Sequence, residues 1–257
     1  MSKYDQGVKA KKGLGQHFLK NEAIARDIAR AITFHHGCRN VVEIGPGTGA
    51  LTVHLLDLDC RLKLCEIDRE SVAFLPGRFP QASLDIIEGD FLQLDLDRLF
   101  AEPFIVAGNF PYNISSQILF RVFENRHRVP EVVGMFQKEV AERVAAGPGS
   151  KTYGILSVLL QAFYTIEYLF TVDENAFIPP PKVKSGVIRL TRNATEALPC
   201  DEALFVKVVK TAFNQRRKTL RNSLRALMPP AALPDPLFDK RPEQLGVAEF
   251  VRLVGMV

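Results

Sequence analysis

The chain predicts an α/β fold, a Rossmann-like sheet of seven strands over residues 1–192, followed by a small all-helical domain over 193–257. Three observations predict it. Short apolar, β-branched runs alternate with segments long enough to be helices, the pattern of β-α-β units and a parallel sheet. A glycine-rich turn, Gly45-Pro46-Gly47-Thr48-Gly49, follows the first of those runs directly. After about Arg192 the strand signals stop, and apolar residues recur only at helical spacing.

Taken in order, residues 1–20 form a polar, basic arm that ends in Gly13-Leu14-Gly15-Gln16-His17-Phe18-Leu19. Asn21 is placed to cap a helix to about Phe34, with Ile24, Ile28 and Ile32 on one face. Strands are predicted at 41–44, 62–67, 84–87, 104–107 and 132–136, with helices at about 50–58, 71–79, 115–123 and 138–145. Runs at 165–172 and 187–191 have a proline-rich loop and no helix between them, so they predict an antiparallel pair at one edge. Phe205, Val208, Val209, Ala212 and Phe213 predict a helix that Leu220, Leu224 and Leu227 continue and Pro229-Pro230 stops.

Composition narrows the function class. With 47% apolar and 24% charged residues, the chain can bury a sizeable core. Cys38, Cys60, Cys65 and Cys200 form no C-x-x-C pair, and no His stands at metal-ligand spacing from them, so free thiols and no metal are expected. The first residues, Met1-Ser2-Lys3-Tyr4-Asp5-Gln6, lack the apolar stretch of a signal peptide, and no apolar run reaches about 20 residues. A soluble, cytoplasmic protein is expected, and nothing in the sequence demands more than a monomer. The net charge of +4 decides little, but its distribution is informative. Ala203 to Pro234 holds no Asp or Glu while carrying Lys207, Lys210, Arg216, Arg217, Lys218, Arg221 and Arg225, a local block that suits an acidic partner such as nucleic acid.

The candidate site residues gather at the carboxyl ends of the predicted strands. Gly45 and Gly47 allow a tight strand-to-helix turn and close approach of a ligand to the backbone. Glu43 precedes that turn, Glu66 ends the second strand and Asp90 follows the third. The turn also fits a loose dinucleotide fingerprint, but three carboxylates are poor neighbours for a pyrophosphate. They favour a cationic ligand, so S-adenosylmethionine, with its sulfonium and ammonium, is expected ahead of NAD. Asn109-Phe110-Pro111-Tyr112 follows the fourth strand at the same edge. Adenine's exocyclic amine is a poor nucleophile that needs two acceptors for its hydrogens. The Asn109 side chain and the Phe110 carbonyl can supply them, Pro111 fixes the turn, and Tyr112 offers a face for stacking.

With these residues assembled, the chain resembles the ribosomal RNA adenine dimethyltransferase family, in its bacterial small-subunit branch. The motifs that carry the resemblance are Gly15-Gln-His-Phe-Leu19, Glu43-Ile-Gly-Pro-Gly-Thr-Gly49, Glu66-Ile67-Asp68, Gly89-Asp90, Asn109-Phe-Pro-Tyr-Asn-Ile-Ser115, Gln137-Lys-Glu-Val140, Phe177-Ile-Pro-Pro-Pro-Lys-Val-Lys-Ser185 and Ala212-Phe-Asn-Gln-Arg-Arg-Lys-Thr-Leu-Arg-Asn-Ser-Leu224. The resemblance implies a class I methyltransferase sheet. It implies that Gln16, His17 and Leu19 lie at the cofactor, with Gly45 near its methionine part, Glu66 at the ribose and Asp90 at the adenine. Asn109 would contact cofactor and target, and Tyr112 and Phe177 would hold the target base. The implied reaction is N6,N6-dimethylation of two adjacent adenosines near the 3′ end of 16S rRNA, in the 30S subunit or its precursor. Arg216, Arg217, Lys218 and Arg221 would neutralise rRNA phosphates. Two departures stand out: Phe110 replaces a usual Leu, and His17 replaces a frequent Asn. A large-subunit rRNA methyltransferase and a non-catalytic nucleic-acid-binding factor of the same fold are the rival functions.

Overall fold

The computed structural model describes residues 7–228, 231 and 234–256. The N-terminal Met1–Gln6 and the helix stop expected at Pro229-Pro230 lie outside the described residues. The strands are β1 (Phe18–Leu19), β2 (Asn40–Ile44), β3 (Arg61–Glu66), β4 (Asp85–Glu88), β5 (Ile105–Asn109), β6 (Glu131–Gln137), β7 (Tyr164–Val172), β8 (Phe177–Ile178) and β9 (Ser185–Arg192). The helices are α1 (Glu22–Arg30), α2 (Thr52–Leu55), α3 (Arg69–Arg78), α4 (Ser115–Glu124), α5 (Lys138–Ala145), α6 (Ile155–Gln161), α7 (Glu202–Asn214), α8 (Leu220–Ser223) and α9 (Val247–Val254). The chain divides into two compact units, one holding residues up to Ala141 with Ile166–Arg192, the other Glu142–Thr165 with the residues from Asn193 on. The helical unit thus takes in 142–165, which the sequence pattern placed with the sheet.

Among the described residues of the first unit, seven strands form a mixed sheet in the order β4-β3-β2-β5-β6-β9-β7. β2 runs parallel to β3 on one side and to β5 on the other, so the winding direction reverses there. Such a reversal opens a crevice at the carboxyl ends of the strands. All five residues of β2 are buried, as a strand covered on both faces requires. β9 is inserted between β6 and β7 and runs antiparallel to β6, from Glu131↔Thr191 to Gln137↔Ser185. The expected edge pair is therefore present as neighbours, but β9 is interior and only β7 is an edge. The core on one side of the sheet is built from Ile28, Val41, Leu55, Ile105, Val133, Met135 and Val187, with Leu19 and Phe177 packed among them. Each such buried aliphatic side chain contributes about 1.5–3 kcal/mol relative to exposure.

Two local differences from the expected elements have clear causes. Asn21 caps α1 as predicted, its Oδ1 accepting from the Ile24 amide at 3.2 Å. The helix ends at Arg30 rather than Phe34 because Thr33 and His35 are held elsewhere. The Thr33 amide and hydroxyl and the His35 amide all donate to the buried Glu131 carboxylate, at 2.7, 3.0 and 3.0 Å. The two-residue strands β1 and β8, invisible to periodicity, pair antiparallel with Phe18 opposite Ile178 and Leu19 opposite Phe177.

In the helical unit, Asp201 caps α7 through the Ala203 and Leu204 amides. α7 buries Phe205, Val208, Val209 and Ala212, and α9 buries Phe250, Leu253 and Val254. Phe213 links them, with ring centroids 6.0 Å from Phe250 and 6.1 Å from Tyr153. The predicted continuation from Phe213 through Leu227 does not form. α7 stops at Asn214, the chain turns at Gln215–Lys218, and the Leu220 amide donates to the Lys240 carbonyl at 2.9 Å. Beyond the bend, Leu220 and Leu224 are fully buried. No described helix is long and apolar enough to cross a membrane, and no described cluster of His, Cys, Asp and Glu could hold a metal.

Candidate active site

An open cavity, about 1070 Å³ with the solvent space in front of it included, lies over the carboxyl ends of β2, β3, β4 and β5. Every cofactor residue expected from the sequence lines it: Gln16, His17, Leu19, Glu43, Gly45, Gly47, Glu66, Asp90 and Asn109. Phe110, Pro111 and Tyr112 line it as well. Among the described residues no Lys or Arg does, so the wall carries three carboxyl groups and no fixed cation. That donor set fits a cationic ligand and repels a pyrophosphate.

The glycine turn is shaped for this. Gly45 and Gly47 both have left-handed backbone conformations, φ +67° and +54°. A Cβ on Gly47 would stand 2.9 Å from the Phe18 ring, so no other residue fits there without displacing the arm. Its amide points at Glu66, whose Oε2 accepts from it at 3.0 Å, while Oε1 accepts from the Asp68 amide at 2.9 Å. A carboxylate offers about four lone-pair positions, so Glu66 keeps capacity for ligand hydroxyls. Asp90 is held by the Leu92 amide at 2.9 Å and Gln93 Nε2 at 3.2 Å.

The three carboxyl groups are not equivalent. Glu43 is 1% exposed, and burial pushes its carboxyl up to about 8, with the nearby Glu66 adding to the effect against a hydrogen bond from Thr52. Thr52 Oγ1 lies 2.6 Å from Glu43 Oε2. Burial also raises Glu66, opposed by its backbone donors. At neutral pH, Glu43 is therefore protonated in the free protein, a point that sequence alone, which counts it as a negative charge, misses.

The rim turn is built from β5 and α4. Asn109 Nδ2 donates to the His17 carbonyl at 2.9 Å, which commits the amide's donor end and leaves Oδ1 as the acceptor. The Phe110 amide donates to the Met135 carbonyl at 3.1 Å, whereas the Ile114 amide and Ser115 hydroxyl use the Pro111 and Tyr112 carbonyls, so these turn bonds leave the Phe110 carbonyl unused. The Phe110 ring is buried against Phe136, centroids 4.7 Å apart. It fits because Gly134 has no side chain: a Cβ there would come within 2.2 Å of the ring. The unusual Phe is thus absorbed by a glycine on the neighbouring strand. Tyr112 is half-buried, shares a hydrogen bond with Ser185 Oγ, and meets the His17 ring at 5.3 Å and 31°. His17 Nδ1 in turn lies 2.8 Å from the Pro179 carbonyl.

Some expected residues fall elsewhere. Phe177 does not reach the cavity; it is 1% exposed and packed in the core. Its strand pairs with β1, and strand alternation sends Phe177 inward and Ile178 outward. In the helical unit, Arg217 and Lys218 are exposed, but the other two expected cations have acidic partners. Arg216 lies 3.8 Å from Glu243, and Arg221 lies 2.6 Å from Asp239. The acid-free stretch of sequence thus meets acids from further along the chain. Conversely, sequence reasoning assigned no role to Ile67, half-exposed on the cavity wall, or to Lys11 and Asp68, which tie the arm down. For Asp68 the only signal was its place after Glu66-Ile67.

Comparisons agree with this geometry. The chain is 58% identical over 252 residues to the "Ribosomal RNA small subunit methyltransferase A" of Cytophaga hutchinsonii, covering 97% of this chain and 98% of that one. Among solved structures, a dimethyladenosine transferase from Plasmodium falciparum superposes with a TM-score of 0.76 at 26% identity, covering 92% of this chain and 96% of that one. The 23S rRNA methyltransferase ErmE does so with a TM-score of 0.68 at 25% identity, over 93% and 99%. The profile described as "Ribosomal RNA adenine dimethylase" matches residues 7–245, which include the arm, the glycine turn, the Asn109–Tyr112 rim and most of the helical unit, and the chain belongs to that family.

Proposed function

We propose that this protein is an S-adenosylmethionine-dependent methyltransferase that N6,N6-dimethylates adenosines of small-subunit ribosomal RNA. The observation that carries this reading is the cavity itself. It has three carboxyl groups, no Lys or Arg among the described lining, and Asn109-Phe110-Pro111-Tyr112 on its rim. S-adenosylmethionine, when bound, supplies an electrophilic methyl on a sulfonium. Glu66 and Asp90 would hold it by accepting hydrogen bonds, and Gly45 and Gly47 give it access to the backbone.

The chain's own residues prepare the target amine. Asn109 Oδ1 and the Phe110 carbonyl accept its two hydrogens, which localises the nitrogen lone pair. Pro111 holds the turn, and Tyr112 stacks on the base. Positioning of this kind, rather than a strong base, accounts for the rate. The helical residues 193–257 are assigned to docking on rRNA, with Arg217 and Lys218 as exposed cations open to phosphate. The 58% identity to a relative named for the small subunit favours 16S rRNA in the 30S particle, with two adjacent adenosines near the 3′ end as targets, over large-subunit RNA. A monomer acting in the cytoplasm is the state that fits this substrate and the free thiols.

The test uses small subunits that lack the modification. They are incubated with the protein and S-adenosylmethionine, the RNA is digested, and dimethyladenosine is sought by mass spectrometry. Its appearance in small-subunit RNA is expected. Its absence from small-subunit RNA despite cofactor binding refutes the assignment.

A further inference from the structure

We propose that Asp68 is a positioning residue that clamps residues 11–16 of the N-terminal arm over the cavity; the inference rests on the cofactor reading above. Asp68 does not line the cavity. Its side chain is 1% exposed beneath the arm. Oδ1 accepts from Lys11 Nζ at 2.5 Å, and Oδ2 accepts from Gln16 Nε2 at 3.1 Å. Lys11 Nζ also lies 3.1 Å from Glu70 Oε1. The two arm residues are tied to each other, because the Lys11 amide donates to Gln16 Oε1 at 2.8 Å. Lys11 to Gln16 is thus a closed loop, turned at Gly15 with φ +63°, and both of its ends rest on one carboxylate. These contacts hold the Asp68 carboxyl below its usual range against the effect of its burial.

The base of the clamp is rigid and belongs to the cofactor site. Asp68 caps α3 through the Glu70 amide, and its own amide donates to Glu66 Oε1. Glu66 in turn holds the Gly47 amide. On the other side, Leu14, Gly15, Gln16 and His17 form a wall of the cavity, and the His17 carbonyl orients the Asn109 amide. The pairing of β1 with β8 and the His17–Pro179 contact fix residues 17–19 but not 11–16. Residues 11–16 are held by the Lys11–Asp68–Gln16 contacts and by a longer bond from Asn113 Nδ2 to the Gly13 carbonyl at 3.5 Å, so the Asp68 contacts are the main hold on a ligand in the cavity. Lys11 is 39% exposed, so the pair is partly solvated and can open and close. When the arm lifts, Asp68 meets water instead of being left buried and unpaired, which keeps opening feasible.

Two variants separate this role from a merely structural one. Asp68→Asn keeps an oxygen to cap α3, since Asn caps as well as Asp, but has no charge and only one acceptor. Lys11→Met removes the cation at an exposed position. The probe is S-adenosylhomocysteine, its dissociation followed by stopped flow, with trypsin cleavage at Lys9 and Lys12 reporting arm opening without any ligand. Each variant is expected to dissociate the probe about tenfold faster, the size of one lost charge-assisted hydrogen bond at a partly solvated site. Each raises KM for S-adenosylmethionine more than it lowers kcat, speeds trypsin cleavage after Lys12, a residue already exposed but held in the closed arm, and leaves the thermal midpoint close to wild type. Lys11→Arg restores the slow rate. The double variant is no worse than the worse single, because both act through one contact. Unchanged dissociation and cleavage in Lys11→Met, or single effects that multiply in the double variant, overturn the clamp. A wild-type protein that binds no S-adenosylhomocysteine overturns the cofactor reading instead, and the cleavage pattern still decides the clamp.

Discussion

Replacing Glu43 with Gln removes one ionisable proton from the floor of the cavity with almost no change in shape. In the native protein the Glu43 carboxyl is buried and keeps its proton up to about pH 8, against an ordinary value of 4.5. In the unfolded chain it loses that proton near its ordinary value. Between those limits the native state binds more protons than the unfolded state, so stability falls as pH rises. The stabilisation is fully present below 4.5 and is lost as pH climbs to about 8, after which this group contributes no further slope. A span of that width corresponds to about 5 kcal/mol, an upper figure, because the ionised side chain can draw in water or rotate. In the Glu43→Gln variant the new side-chain amide would keep a partner in Thr52 Oγ1, which can accept as well as donate. The assay is urea denaturation of wild type and Glu43→Gln at pH steps from about 5 to about 9. The wild type is expected to lose stability relative to the variant by up to about 1.4 kcal/mol per pH unit, with the difference levelling off near pH 8. Glu66, also raised, gives both proteins a slope of its own, which the difference removes apart from the Glu43–Glu66 coupling. Parallel curves across the whole range would mean that Glu43 ionises normally, and that the cavity presents three charges to its ligand rather than two.

Two further predictions concern the reaction and the RNA. Asn109→Ala removes the Oδ1 acceptor and the tie to His17; kcat should fall by about 10²–10³-fold, the usual effect of deleting one such polar contact, while the far-ultraviolet circular dichroism is retained, and wild-type turnover would refute the role. Arg217→Ala with Lys218→Ala should weaken rRNA binding and flatten its log–log salt slope by roughly 0.7–0.9 per lost phosphate contact. Arg221→Ala should change that slope less, because Asp239 already pairs with it; equal effects in filter binding across a salt series would show that the internal pairs open on RNA.

Much of this protein was determined by its sequence alone. The strands buried on both faces, β2, β5 and β6 among them, read as mostly apolar runs, and the partly exposed β4 and β7 carry β-branched or alternating residues, so all seven strands of the sheet are legible within a few residues. The strand-then-turn order brings Glu43, Gly45, Glu66, Asp90 and Asn109 to one edge before any coordinate is known, since parallel strands share a carboxyl end. Tertiary structure decided the rest, wherever residues far apart in sequence set the outcome. Two-residue strands have no periodicity, so the β1–β8 pairing, and the inward turn of Phe177 that follows from it, could not be read. Glu131 ended α1 from about 100 residues away. Asp239 and Glu243 folded back onto Arg221 and Arg216, turning half of an apparent basic patch into internal ion pairs. Burial, a property of the fold and not of the residue, made Glu43 a neutral acid. The Lys11–Asp68 contact spans 57 positions, and composition and spacing carry no information about a contact closed only when the arm meets the end of β3.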